Sequence, residues 1–140
     1  MEEVLTPEVF LSSLNQTETY DVDVTLDDVL KYCQAARDDN PLHFGDEGRV
    51  VPGGLITSLF LSNPHPGFFV RSYTVNFHKV THFPAKITIS RTMTKTRVRK
   101  FGYVGTCEGV AKCDGHVVAT ATMETFKPNE RVKEQYERGK

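Results

Sequence analysis

Residues 54–62 read Gly54-Leu55-Ile56-Thr57-Ser58-Leu59-Phe60-Leu61-Ser62, and from residue 68 the chain changes to a period of two. The first stretch is apolar on nearly every side of a helix, so it needs cover from several directions and reads as buried rather than amphipathic. The second stretch offers half-buried strands with one apolar face each. A helix wanting cover, followed by strands with a face to bury, has a simple packing solution. An antiparallel sheet curls around one central helix, giving an α+β fold. At 140 residues the chain supplies one such core and is short for two.

The strands can be followed one by one. Phe69, Arg71, Tyr73, Val75 and Phe77 alternate against Val70, Ser72, Thr74, Asn76 and His78. Lys86 to Thr96 alternates again and leads into a basic turn, Lys95-Thr96-Arg97-Val98-Arg99-Lys100. Lys100 to Cys113 is a long strand, Asp114-Gly115 is a two-residue hairpin signal, and His116 to Phe126 returns as its partner. Upstream, Tyr20 to Val24 alternates as a strand. Thr25 and Asp28 then make a capping-box pattern for a helix running to about Ala36. Pro7 to Leu11 suits one helical turn. Asn63-Pro64-His65-Pro66-Gly67 stops the buried helix, because prolines cannot continue it. The domain so read spans 1–126, and 127–140 is a polar tail. One sheet edge stays open, and pairing with a second copy of the chain would cover it.

Composition removes several classes of function. Net charge is −1 and the pI is about 6.5, so nothing points to nucleic acid as a partner. No stretch approaches the roughly 18–20 apolar residues of a membrane span. The start, Met1-Glu2-Glu3-Val4-Leu5, is acidic and no long apolar run follows it, which argues against a secretory leader. Cys33, Cys107 and Cys113 are an odd number without a Cys-x-x-Cys pair, as expected of free thiols in a reducing compartment; a metal site is not expected. The expected location is the cytoplasm.

The chemistry concentrates in Asp38-Asp39-Asn40-Pro41-Leu42-His43. Pro41 fixes its own φ and pushes Asn40 out of the helical region, so the segment turns. One stiff loop thereby presents a carboxylate, Asp38, and an imidazole, His43, the pair that acid–base chemistry needs. The plainer reading is a turn whose Asp only satisfies backbone donors. Ten residues on, Pro52-Gly53-Gly54 opens the apolar helix. The exposed N–H groups of a helix start suit a developing negative charge.

The run from Asp38 to His43, followed by Val50-Val51-Pro52-Gly53-Gly54-Leu55-Ile56-Thr57-Ser58-Leu59-Phe60, resembles the MaoC-like hydratases. These include (R)-specific enoyl-CoA hydratases and 3-hydroxyacyl-thioester dehydratases. The resemblance covers about residues 20–126 and implies the hotdog fold. It further implies hydration of trans-2-enoyl thioesters to (R)-3-hydroxyacyl thioesters, or the reverse dehydration. Asp38 and His43 match the catalytic pair. Gly53 matches the glycine whose backbone N–H polarises the thioester carbonyl, with Gly54 its neighbour, and Asn40 matches a loop-shaping Asn. No cofactor is implied, since coenzyme A or acyl carrier protein carries the substrate, and a homodimer is expected. Arg97, Arg99 and Lys100 could meet the phosphates of coenzyme A or an acidic carrier protein, or could simply be a solvated turn. A hotdog thioester hydrolase and a non-catalytic acyl-thioester binding module stay open. His82-Phe83-Pro84 resembles a motif of another hotdog dehydratase class, but strand residues follow it and the helix 54–62 carries no acid. It reads as a loop.

Overall fold

The computed structural model describes residues 5–44, 48–62 and 68–129. Three helices precede most of the sheet: α1 (Pro7–Ser12), α2 (Leu26–Ala36) and α3 (Gly53–Leu61). Five strands, β1 (Thr17–Val24), β2 (Phe69–Phe77), β3 (Ala85–Arg99), β4 (Gly102–Cys113) and β5 (His116–Pro128), form one antiparallel sheet in the order β1-β3-β4-β5-β2. Both β1 and β2 are therefore edges, where the sequence reading had foreseen one.

The core lies between α3 and the inner face of the sheet. Ile56 and Phe60 on α3 are buried with Ile87 and Ile89 on β3, Ala111 on β4 and Ala119 and Met123 on β5. Val29 and Cys33 of α2 close one side. Gly109 allows the helix to sit this near: a Cβ there would fall 2.7 Å from the Phe60 ring. The hairpin turn at Asp114-Gly115 has φ of 52° and 78°, the double positive φ that its two residue types tolerate.

Several expectations need correcting. In the single chain α3 is not covered all round, since Gly54 and Ser58 are exposed and Leu55, Thr57, Leu59 and Leu61 only half-buried. The hydroxyls of Thr57, Ser58 and Ser62 bond back to carbonyls of their own helix, so this flank needs no polar partner from the sheet. The basic turn is mostly strand, because β3 continues through Arg99 and only Lys100 and Phe101 turn. β5 runs to Pro128, past the boundary at 126. The proline-rich stop at 63–67, Gly45 and the tail from 130 lie outside the described residues.

Two bulges overturn the simple parity of the strands. In β2 the register passes from Val70↔Thr125 to Ser72↔Glu124, leaving Arg71 as the extra residue. Phe69 then faces Phe126 while Tyr73 faces Met123, so the aromatic row splits between two faces. In β3 the shift from Met93↔Cys107 to Lys95↔Thr106 makes Thr94 the extra residue. Ile87, Ile89 and Met93 point inward, but beyond the bulge Lys95, Arg97 and Arg99 point outward. A bulge does this because one added residue reverses the two-residue alternation of a strand.

Candidate active site

The site begins where α2 ends. A full capping box starts that helix, with Thr25 Oγ1 accepting from Asp28 N and Asp28 Oδ2 accepting from Thr25 N at 2.8 Å. Its end is set by Arg37, in the left-handed region at φ 56°, a conformation that costs a non-glycine residue about 1–2 kcal/mol. The chain reverses there, and Asp38 N donates back to Cys33 O at 2.9 Å. Among the described residues Arg37 makes no ion pair with Asp38.

Asp38 divides its two oxygens between structure and chemistry. Oδ1 accepts from Asn40 N at 3.1 Å, and Oδ2 lies 3.2 Å from His43 Nε2. Asn40 Oδ1 accepts from Leu42 N at 3.1 Å and so fixes the short 3-10 turn Pro41–His43. That turn aims the imidazole back at the carboxylate. His43 is 8% exposed, whereas the Asp38 side chain keeps 32%, so the pair faces solvent through the acid.

The other ring nitrogen fixes the proton inventory. His43 Nδ1 lies 2.7 Å from Val50 O, and a carbonyl only accepts, so Nδ1 carries the hydrogen. Nε2 is then the nitrogen that exchanges a proton. Its contact with the Asp38 carboxyl is attractive only when one proton sits between them, on the ring or on the acid. Val50 itself is held by an antiparallel bridge to His82, and Val51 N donates to Thr81 O at 2.7 Å. Phe83 N and the His82 ring also bond to the segment 48–50. This loop thus braces the carbonyl that orients His43.

Three residues after Val50 the chain enters α3. Three residues span at most about 10 Å, so the imidazole and the tip of α3 are neighbours. Pro52 precedes the helix and gives no side-chain cap. Among the described residues the N–H groups of Gly53 and Gly54 have no protein acceptor, as the first donors of an uncapped helix should not. Gly53 packs against the Phe77 ring at the end of β2, 3.0 Å from where a Cβ would stand. Tyr32 of α2 reaches over Gly54, its Oη only 1.7 Å from a Cβ placed there. No hydrogen bond to the Tyr32 hydroxyl occurs among the described residues.

Asp38 and His43 thus touch, and their loop leads directly to Gly53 and Gly54. Arg97, Arg99 and Lys100 are not part of this cluster. They stand where β3 ends, beside the Phe126 end of β5 and the Phe69 end of β2, while Gly53 abuts Phe77 at the opposite end of β2. Eight residues of strand, about 27 Å at 3.4 Å each, separate the two ends. Sequence reasoning missed Tyr32 and Thr81. Tyr32 had a faint signal, a polar-tipped aromatic in the last two turns before the Asp-Asn-Pro loop. Thr81, 4% exposed with an Oγ1 that has no partner among the described residues, had none.

The three thiols are free, and burial pushes each above its ordinary pKa. For Cys33 the Asp38 charge adds to that rise. No thiolate is therefore offered as a nucleophile. Among the described residues no helix is long and apolar enough to cross a membrane.

No family model matches the chain and no curated protein matches it. Solved structures do. An (R)-hydratase from A. caviae, involved in PHA biosynthesis, matches at TM-score 0.71 and 19% identity over 82% of this chain and 96% of that one. A MaoC-like dehydratase from Rhodospirillum rubrum matches at TM-score 0.71 and 14% identity, over 86% and 97%. The HadBC complex of Mycobacterium tuberculosis, a 3R-hydroxyacyl-ACP dehydratase, matches at TM-score 0.67 and 17% identity, over 81% and 96%. The chain has the hotdog fold that these structures share.

Proposed function

We propose that this chain adds water to trans-2-enoyl thioesters, forming (R)-3-hydroxyacyl thioesters, or runs the same reaction in reverse. The observation that carries the reading is the 3.2 Å contact between Asp38 and His43, with His43 Nδ1 tied to Val50 O. The hydratase and dehydratase names of the structural neighbours support it at the level of reaction class.

The chemistry follows from the proton inventory. Water held by the pair attacks C3 and gives one proton to the basic member. The C2–C3 π electrons move toward the carbonyl, and negative charge develops on the thioester oxygen. The free N–H groups at Gly53 and Gly54 oppose that charge without reorganising. The acidic member then protonates C2, and the pair is restored. Each member contributes on the order of 100- to 10,000-fold. No metal or redox group is needed for this balance.

A homodimer fits the same reading. β2 is an open edge, and Tyr73 and Phe77 stand 54% and 52% exposed along it. Antiparallel pairing of two β2 strands about a two-fold axis would cover these rings and set the Phe69 end of one copy beside the Phe77 end of the other.

Crotonyl-CoA, followed by enone absorbance together with free thiol, tests the function. Absorbance lost without thiol release is the expected result. Thiol release would mean a hydrolase, and no change in either would mean a binding module. Asp38→Asn and His43→Gln should each lower turnover by about 100-fold or more while thermal unfolding stays cooperative. Wild-type rates in both variants would overturn the assignment.

A further inference from the structure

The start of α3 gathers hydrogen-bond donors and lacks acceptors. The N–H groups of Gly53 and Gly54 have no protein acceptor among the described residues. The carbonyls of the same turn are engaged: Pro52 O accepts from Leu55 N and Ile56 N, and Gly53 O accepts from the Thr57 hydroxyl. Tyr32 brings a third polar group to this place. Its ring packs half-buried against the core, while the phenol points at Gly54. The phenol oxygen is the nearest atom to a Cβ built on Gly54, with Cζ behind it at 2.8 Å and Cε2 at 3.6 Å. The Cα–Cβ bond of a helical residue leans toward the helix N-terminus. The Tyr32 hydroxyl therefore lies on the N-terminal side of Gly54, the side to which the first N–H groups of a helix also point.

That hydroxyl has no hydrogen-bond partner among the described residues, although a buried tyrosine usually finds one for its O–H. Two amide N–H groups and one O–H thus meet at the tip of α3 with no acceptor between them. The Phe77 ring closes the Gly53 side, 3.0 Å from where a Cβ would stand, so an aromatic ring bounds each side of the gap. Such a gap suits an oxygen that carries negative charge, and apolar walls strengthen each bond made to it. The hydroxyl is also well placed relative to the acid. Tyr32 stands in the last turns of α2, the helix whose end positions Asp38. One rigid element therefore sets both groups, as a fixed site requires.

We propose that Tyr32 is a third donor to the thioester oxygen that gains charge when water adds to C3, beside the N–H groups of Gly53 and Gly54. This role rests on the hydration proposed above and adds a residue to it. The phenol keeps its proton throughout and donates a hydrogen bond only. The proton for C2 still comes from the Asp38 and His43 pair. The bond strengthens as the oxygen passes from neutral carbonyl to enolate, so it lowers the barrier more than it aids binding. A tyrosine whose ring merely fills space beside Gly54 makes the opposite forecast, because its hydroxyl is then idle.

Tyr32→Phe removes the hydroxyl and keeps the ring, so thermal unfolding should not move. With crotonyl-CoA, kcat should fall about 100-fold, as for loss of one oxyanion donor, while KM changes little. Acetoacetyl-CoA gives a second readout that needs no turnover, because its enolate absorbs apart from its keto form. On the wild-type chain the bound enolate fraction should exceed that in free solution at the same pH. In Tyr32→Phe the enolate-to-keto ratio should fall at least about tenfold at similar affinity. A kcat within about threefold of wild type, or an unchanged ratio, would overturn the role. The hydratase reading would survive that result, since Asp38→Asn and His43→Gln decide it. A raised KM at unchanged kcat would also overturn the role, because it marks binding that is equal in ground and transition state. So would the absence of bound enolate on the wild-type chain. A chain inactive on every enoyl thioester, whose bound enolate still depends on Tyr32, would sink the hydratase reading and leave the donor in place.

Discussion

Helices α2 and α3 begin in opposite ways. At the start of α2, Thr25 and Asp28 satisfy each other's backbone donors. At the start of α3, Pro52 offers nothing and two glycine N–H groups are left over. The first arrangement stabilises a helix. The second forgoes that gain and keeps two donors free at the place where the proposed reaction develops negative charge. The far end of α3 offsets the loss: Arg91 Nη1 donates to Phe60 O and Ser62 O at 3.1 and 2.6 Å, Tyr20 donates to Leu59 O, and Arg91 also pairs with Glu18. A helix that is open at its N-terminus is clamped at its C-terminus, where a cation also suits the helix dipole.

The sharpest way to break this contrast is to remove the clamp. Arg91→Met keeps the stem but leaves two carbonyls and Glu18 without their charged donor. Each charge-assisted bond contributes about 1.5–3 kcal/mol, so a loss of about 2–4 kcal/mol is expected in urea unfolding. Turnover per folded molecule should change little. A loss below about 0.5 kcal/mol would mean that α3 is held by core packing alone.

The open end can be probed with less damage. Gly54→Ala places a methyl where the Tyr32 hydroxyl now lies. The far end of Tyr32 can swing aside, so the cost should be about 1 kcal/mol rather than a lost fold. Activity should fall more than stability, because a displaced ring crowds the tip. In a Tyr32→Ala background the same substitution should be tolerated, with a coupling of about 0.5–3 kcal/mol between the two sites. Additive effects would show that Tyr32 does not cover Gly54 in solution.

The sequence disclosed the two helix starts for different reasons. Thr25 to Asp28 is a local pattern, and the box closes within four residues. The Asp38 to His43 loop is equally local, and Pro41 with Asn40 fixes its turn. The sheet curled around one helix was legible because one apolar helix and period-two strands leave few packing solutions, and the hotdog fold followed from the resemblance carried by residues 38–60. The clamp at Arg91 was not legible, since its partners lie 29 and 31 residues away in sequence. Nor were the bulges at Arg71 and Thr94. Alternation counts residues, and nothing in Arg-Thr-Met-Thr-Lys at 91–95 marks the one that drops out of register. That single residue is what turns Arg97 and Arg99, which the sequence places in a turn, outward on a continuing strand. The exposed flank of α3 was misread because apolar composition does not say which sides of a helix the sheet reaches.

The smallest effect sharpens the contrast through pH. Bonds from the Thr25 backbone N–H and then from its hydroxyl hold the Asp28 carboxyl below its ordinary pKa. Because the folded value is the lower one, this acid stabilises the fold at neutral pH and ceases to do so as pH falls through that value. Asp28→Asn should therefore cost a few tenths to about 1 kcal/mol at pH 7. The gap between wild type and variant should close at acid pH, below about 4. Asp28 is only half-buried, so salt should narrow the gap as well. The start of α3 carries no acid in its first turn and should add no such step to the stability curve. A wild-type-minus-variant difference that is flat from pH 7 to pH 2 would show that the box is held by Thr25 without the charge. The two helix starts would then differ by a hydroxyl alone.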